Sequence, residues 1–131
     1  MNKIDKIYYI NLNHRKDRNY HFLNQINIHN IPKNKVVRFE AINGLEYTFS
    51  DYELSLFENA NYLSMSTKLQ IMGNQLSHFK IFQEMVEKKY KYIIICQDDI
   101  IFKNGFAGYI DLLVSDLPED TEIIHFGFHK Y

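Results

Sequence analysis

Apolar residues in this chain fall into two rhythms: unbroken runs of four or five, and stripes spaced three and four apart. The first run, Ile7-Tyr8-Tyr9-Ile10 within Lys6 to Leu12, is continuous and β-prone and predicts a buried strand. Asn13 follows as a candidate cap for a helix from about Lys16 to Asn27, whose spacing places Phe22, Leu23 and Ile26 on the inner side. His29-Asn30-Ile31-Pro32 breaks that helix. Val36-Val37-Arg38-Phe39 then reads as a second strand, ended by the turn signal Asn43-Gly44.

The stretch from Leu45 to Lys68 carries little periodicity. Asp51 to Phe57 is long enough for one short helix, capped by Ser50 or Asp51. From Leu69 to Lys89 the helical period is plain, with Leu76, Phe79, Ile81, Phe82, Met85 and Val86 as the expected apolar face. Tyr92 to Cys96 contains three consecutive isoleucines, the pattern of a central parallel strand, and runs directly into Gln97-Asp98-Asp99. Phe106 to Leu117 predicts another helix, stopped by Pro118, and Glu122 to Phe126 a final strand.

Strands alternating with helices predict an α/β fold: a mostly parallel, Rossmann-type sheet with helices on both faces. Ligands in such sheets bind beyond the carboxyl ends of the strands, so the strand ends are where chemistry is expected. No glycine-rich loop follows the first strand, which argues against a P-loop or a dinucleotide fingerprint. Acidic residues do not follow it either. The Asn11-Leu12-Asn13 at that place argues against a phosphoryl-accepting receiver domain.

Composition narrows the picture further. A chain of 131 residues is expected to form a single domain over 1–131. A net charge of −1, with lysines spread rather than gathered in a stripe, leaves no electrostatic footprint for nucleic acid. The one cysteine, Cys96, lies inside an apolar run and has no partner in the chain, which fits a reducing compartment. The apolar stretch nearest the N-terminus is too short for a signal peptide and no segment approaches a membrane span, so a cytoplasmic location is expected.

The adjacent carboxylates Asp98 and Asp99 are the leading chemical feature. Two neighbouring carboxylates repel, and both stay ionised most easily beside a cation. Hard oxygen donors select Mg²⁺ or Mn²⁺, which bind one or two carboxylates together with substrate phosphates. The plainer alternative is a strand end at which one aspartate caps the following turn.

Three ordered stretches resemble glycosyltransferase family 25, the lipopolysaccharide-biosynthesis and procollagen galactosyltransferase type. Ile10-Asn11-Leu12-Asn13-His14-Arg15-Lys16-Asp17-Arg18 is similar to the family's opening I-N-L-D-R-R-x-D-R. Arg38-Phe39-Glu40-Ala41-Ile42-Asn43-Gly44 is similar to its R-x-x-A-x-D/N-G turn. Gly73 through Leu76-Ser77-His78, followed by Ile94-Ile95-Cys96-Gln97-Asp98-Asp99, resembles its G-x-x-L-S-H helix and L-I-L-E-D-D strand end. The resemblance implies a GT-A-like fold and inverting transfer of a hexose, galactose or glucose, from a UDP-sugar. The implied acceptor is a saccharide or a hydroxylysine of a glycosylated protein. It further implies Asn11, Arg15, Arg18, Ser77, His78 and Gln97 as donor-site residues, with Asp98 and Asp99 holding Mn²⁺ or Mg²⁺.

Two departures keep a second reading open. Gln97 stands where the family motif carries glutamate, and a neutral amide is a weaker metal ligand. Family members also continue past the equivalent of Phe126-Gly127, where the general base for an inverting transfer is expected; no residue of this chain stands out for that role. The alternative is therefore a catalytically inactive nucleotide-sugar-binding or interaction module of the same fold.

Overall fold

The computed structural model describes residues 1–59 and 64–127. Its elements are β1 (Lys6–Asn11), α1 (Lys16–Ile28), β2 (Val36–Glu40), α2 (Asp51–Ser55), α3 (Met65–Lys88), β3 (Ile93–Gln97) and α4 (Phe106–Asp116). The strands form one parallel sheet in the order β2-β1-β3. The result is the expected Rossmann-like α/β architecture, consistent with a GT-A-like fold.

Period-two alternation divides the core into two layers. On one face Ile7 and Tyr9 of β1 and Ile94 and Cys96 of β3 pack with Phe22 and Ile26 of α1 and Ile110 of α4. Tyr9 and Phe22 stack with ring centroids 4.2 Å apart, and burying a side chain such as Phe22 contributes about 1.5–3 kcal/mol. On the other face Tyr8 and Ile10 meet Ile81 of α3, flanked by Val37, Phe39, Ile93 and Ile95. Burial also raises the Cys96 thiol to about 12, so it is a core group and an unreactive one.

Several expectations change at this level. The central strand is β1, buried along nearly its whole length, whereas Ile93–Gln97 is at the edge of the described sheet. The isoleucine run is apolar on both sides because helices cover both faces, and this needs no strand on each flank. Glu122 to Phe126 forms no strand; Ile123 and Phe126 are 65% and 50% exposed, and among the described residues no neighbour completes a ladder there. His125 is exposed with them. Arg15, with no capping side-chain bond, occupies the cap position expected of Asn13. Leu23 is largely exposed while Phe22 and Ile26 are buried as read. Ser50 caps α2 through a reciprocal box with Glu53.

The buried side of α3 also differs from the apolar face read in the sequence. Met72, Gly73, Ser77 and Ile81 face inward, while Phe79, Phe82 and Val86 are exposed. Residues 73, 77 and 81 recur every fourth position and form one stripe, and its small members admit a backbone. The Asn43-Gly44 turn uses that space. A Cβ on Gly73 would stand 2.5 Å from the Ile42 carbonyl oxygen, and one on Gly44 would overlap the Leu69 carbonyl. Among the described residues no helix is long and apolar enough to cross a membrane.

Two alanine substitutions of helical glycines should move stability in opposite directions. Gly73→Ala is expected to cost about 1–3 kcal/mol by forcing the turn off α3. Gly108→Ala in α4 meets nothing within 4 Å and should add about 0.5–1 kcal/mol of helix propensity. Urea midpoints of the two variants check the pair; a neutral Gly73→Ala would contradict the close packing.

Candidate functional site

The order β2-β1-β3 means that the chain leaves β1 toward one side and returns on the other. The switch point of the sheet therefore lies at the carboxyl ends of β1 and β3, where sheets of this kind carry their ligand crevice. Ile10 pairs with Gln97 as the last rung of that ladder, so Asn11 and Asp98 come next, opposite each other and on the α1 face. The Asn11 amide donates to the Asp98 carboxylate at 2.6 Å and to the Arg15 carbonyl at 3.1 Å. Both side chains are buried, at 1% and 4% exposure.

Cations complete this arrangement. Arg18 sits in the first turn of α1, and its Nη1 donates to Asp98 at 3.2 Å while lying 3.2 Å from the Asp99 carboxylate. Asp98 thus has a partner on each oxygen, Asn11 on one and Arg18 on the other, as a buried carboxylate requires. Asp99 is half exposed. Asp17, Arg18, His21 and Asp99 line an open cavity of about 270 Å³ over this pair, with His21 Nε2 3.0 Å from the Ile100 carbonyl. Arg15 is engaged elsewhere, in a two-point pair with Asp17 at 2.6 and 2.9 Å. The Asp17 bond is the main reason its guanidinium is held above the ordinary range; Asp98 and Asp99 add smaller contributions.

Gln97 belongs to the opposite face, because adjacent strand residues point to opposite sides. Its amide donates to Asn74 Oδ1 and to His78 Nε2, both at 3.2 Å and both on α3. Burial holds His78 below the ordinary value of 6.5, so the ring is neutral near pH 7 and can accept that bond. Ser77 is fully buried, donating to the Gly73 carbonyl at 2.7 Å and accepting from the Ile42 amide at 2.9 Å. Its hydroxyl ties the 41–44 turn to α3. The eight residues read from the sequence therefore divide. Asn11, Arg18, Asp98 and Asp99 converge, with Arg15 beside them, while Gln97 and His78 pair on the far side of β3 and Ser77 lies beneath the turn.

Arg38 is a member of the cluster that the sequence reading did not assign. Its Nε donates to Asn11 Oδ1 at 2.9 Å, which fixes the carboxamide so that its nitrogen faces Asp98. Its Nη2 is buried without a hydrogen-bond partner among the described residues. A charged residue at the same inward parity as Val36 in an otherwise apolar strand was the available signal. A second open cavity, of about 260 Å³, lies at the ends of β1 and β2 between Asn13, His14, Glu40, Asn43 and Tyr47.

Among the described residues no three His, Cys, Asp or Glu side chains cluster as a metal cage. The donor chemistry fits a divalent cation in another way. Asp98 and Asp99 share a single cationic nitrogen, a stand-in for an ion that takes two carboxylates from the protein and its remaining oxygens from a substrate.

These features define a parallel α/β protein with a charged cluster at the switch point of its sheet. Residues 4–131 match the profile of "Glycosyltransferase family 25 (LPS biosynthesis protein)", and the chain belongs to that family. It is similar to procollagen galactosyltransferase 2 of Mus musculus, 27% identical over 128 residues, and of Homo sapiens, 25% identical over the same length. Each match takes in 94% of this chain and 20% of the relative, so the chain spans about a fifth of the curated relatives it matches.

Two outcomes are expected from this geometry. Asn11→Leu strands the buried Asp98 oxygen and Arg38 Nε together, a loss of about 2–3 kcal/mol that chemical denaturation would register; an unchanged urea midpoint would argue against the chain of bonds. For His78, whose folded pKa is depressed, protonation on acidification disfavours the folded state. Stability should fall as pH drops below about 6.5, and His78→Gln should flatten that part of the curve. An NMR titration of the ring with a midpoint at or above 6.5 would contradict the burial effect.

Proposed function

We propose that this chain is the donor-binding part of a hexosyltransferase. In this reading it takes a UDP-sugar, carrying galactose or glucose, into the crevice between β1 and β3. Family membership supports it, and the observation that carries it is the convergence of Asn11, Arg18, Asp98 and Asp99 at the sheet's switch point. The acceptor in this proposal is a saccharide or a hydroxylysine of a glycosylated protein, in keeping with the names of the relatives.

Asp98 and Asp99 would hold Mn²⁺ or Mg²⁺ together with the donor diphosphate. Such an ion supplies Lewis-acid stabilisation of the charge that develops on the departing nucleoside diphosphate. The chain's own residues bind and orient. Asn11 and Arg38 fix Asp98 so that one carboxylate is held in place before any ligand arrives. Arg15 and Arg18 carry guanidinium forks that would suit phosphate oxygens once they leave Asp17 and the aspartate pair. Gln97 and His78 pair on the other face of β3, and Ser77 ties the turn after β2 to α3. An inverting transfer also needs a base for the acceptor hydroxyl proton, and none of the side chains in this cluster is assigned to it.

One observation favours a second reading, a nucleotide-sugar-binding module without catalysis. Gln97 replaces the family's glutamate and its amide is committed to Asn74 and His78, away from the aspartates. Calorimetric titration with UDP-galactose, UDP-glucose and UDP, with and without Mn²⁺, is the direct experiment. Metal-dependent binding is expected in the wild type, with a loss of about tenfold or more in Asp98→Asn and Asp99→Asn. Binding without donor turnover, even with acceptor sugars added, would favour the module. A folded chain that ignores every nucleotide would refute both readings.

A further inference from the structure

The position of Arg18 has a consequence beyond donor binding. Its Nη1 stands 3.2 Å from Asp98 and 3.2 Å from Asp99, at the point the two carboxylates share. The geometry points to Arg18 as an internal counter-cation that competes with the divalent ion for the aspartate pair and, once displaced, is delivered to the donor diphosphate. The inference rests on the metal-assisted reading above and deepens it.

Three features make the exchange physically reasonable. A guanidinium and a divalent ion cannot occupy one point between two carboxylates, so binding of one requires departure of the other. Asp98 retains its Asn11 bond at 2.6 Å when Arg18 leaves, so the buried carboxylate is never without a partner. Arg18 is 41% exposed and lines the same cavity as Asp99, so its flexible stem can swing the charge outward without unpacking a core. Its neighbour Arg15 does not compete in the same way, since Asp17 already holds it by two bonds.

The arrangement gives one side chain two opposite effects. Without a donor, Arg18 offsets one of the two negative charges of the acidic pair and weakens the hold on a bare metal ion. With a nucleoside diphosphate present, the arriving phosphates offer the displaced guanidinium a new partner, so metal and diphosphate assist each other's binding.

The test measures binding and needs no turnover. Free Mn²⁺ is titrated by electron paramagnetic resonance against the 131-residue chain and its Arg18→Gln, Arg18→Lys and Lys16→Gln variants. UDP is then titrated calorimetrically at saturating Mn²⁺. Arg18→Gln is expected to bind Mn²⁺ about five- to tenfold more tightly, the scale set by losing a partly exposed ion pair. The same variant should bind UDP about tenfold more weakly once Mn²⁺ is bound. Arg18→Lys should lie between Arg18→Gln and wild type in both titrations. Lys16→Gln removes the same charge from the same turn without touching either aspartate and should change Mn²⁺ affinity little. Glutamine keeps an amide donor for Asp98, and thermal unfolding of each variant confirms that it is folded.

Equal Mn²⁺ affinity in wild type and Arg18→Gln, with metal binding intact, would overturn the competition and leave the donor-site reading standing. Weakening of both ligands would assign Arg18 a supporting role only and overturn it as well. Mn²⁺ binding in none of the folded proteins would overturn the metal-assisted reading itself, a result distinct from the other two.

Discussion

The rest of the site hangs on a buried carboxylate. Asp98 is almost fully enclosed where β1 and β3 end, and an ion so placed loses hydration worth several kcal/mol unless it is bonded on every side. Asn11 and Arg18 supply those bonds from the other two elements that reach this corner, the end of β1 and the first turn of α1. Arg38 on β2 then holds Asn11. One desolvated charge thereby links three strands and a helix through a single chain of bonds.

Stability and function draw on the same bonds here. The network that offsets the desolvation of Asp98 also holds its carboxylate ready, which is what preorganised charge stabilisation requires. Asp99 differs from it by one residue and by its exposure. A firmly held carboxylate therefore stands beside a half-exposed one, and both share a single guanidinium.

The two faces of β3 divide the labour. Cys96 and Asp98 look toward α1 and α4, so apolar packing passes into the charged crevice within two residues. Ile95 and Gln97 look toward α3, where the Gln97 amide meets a half-buried, neutral His78. The replacement of a family glutamate by glutamine is compatible with this second environment, since a carboxylate beside a desolvated imidazole would tend to draw the ring into its charged form. Beyond them, Ser77 and Gly73 clamp the turn after β2 to α3.

Much of this was legible in the chain. Unbroken apolar runs and stripes at period three to four determined most of the strands and helices and the parallel α/β class, and with it the strand ends as the place to look for chemistry. Three ordered motifs determined the family. Sequence could not settle which neighbours each element would have, because hydrophobic spacing records that a face is buried and says nothing about what buries it. The isoleucines of β3 therefore read as a central strand, Glu122 to Phe126 read as a strand although nothing among the described residues completes a ladder there, and Phe79 and Phe82 read as core while the smaller Gly73 and Ser77 took the inner stripe of α3. Residues adjacent in sequence, such as Gln97 and Asp98, were grouped as one site, although the strand sends them to opposite faces. The link from Arg38 through Asn11 and Asp98 to Arg18 spans four elements. It arises only when the sheet is assembled, since hydrogen bonds between residues 27 and 87 positions apart are a property of the packing and leave no periodic trace in the chain.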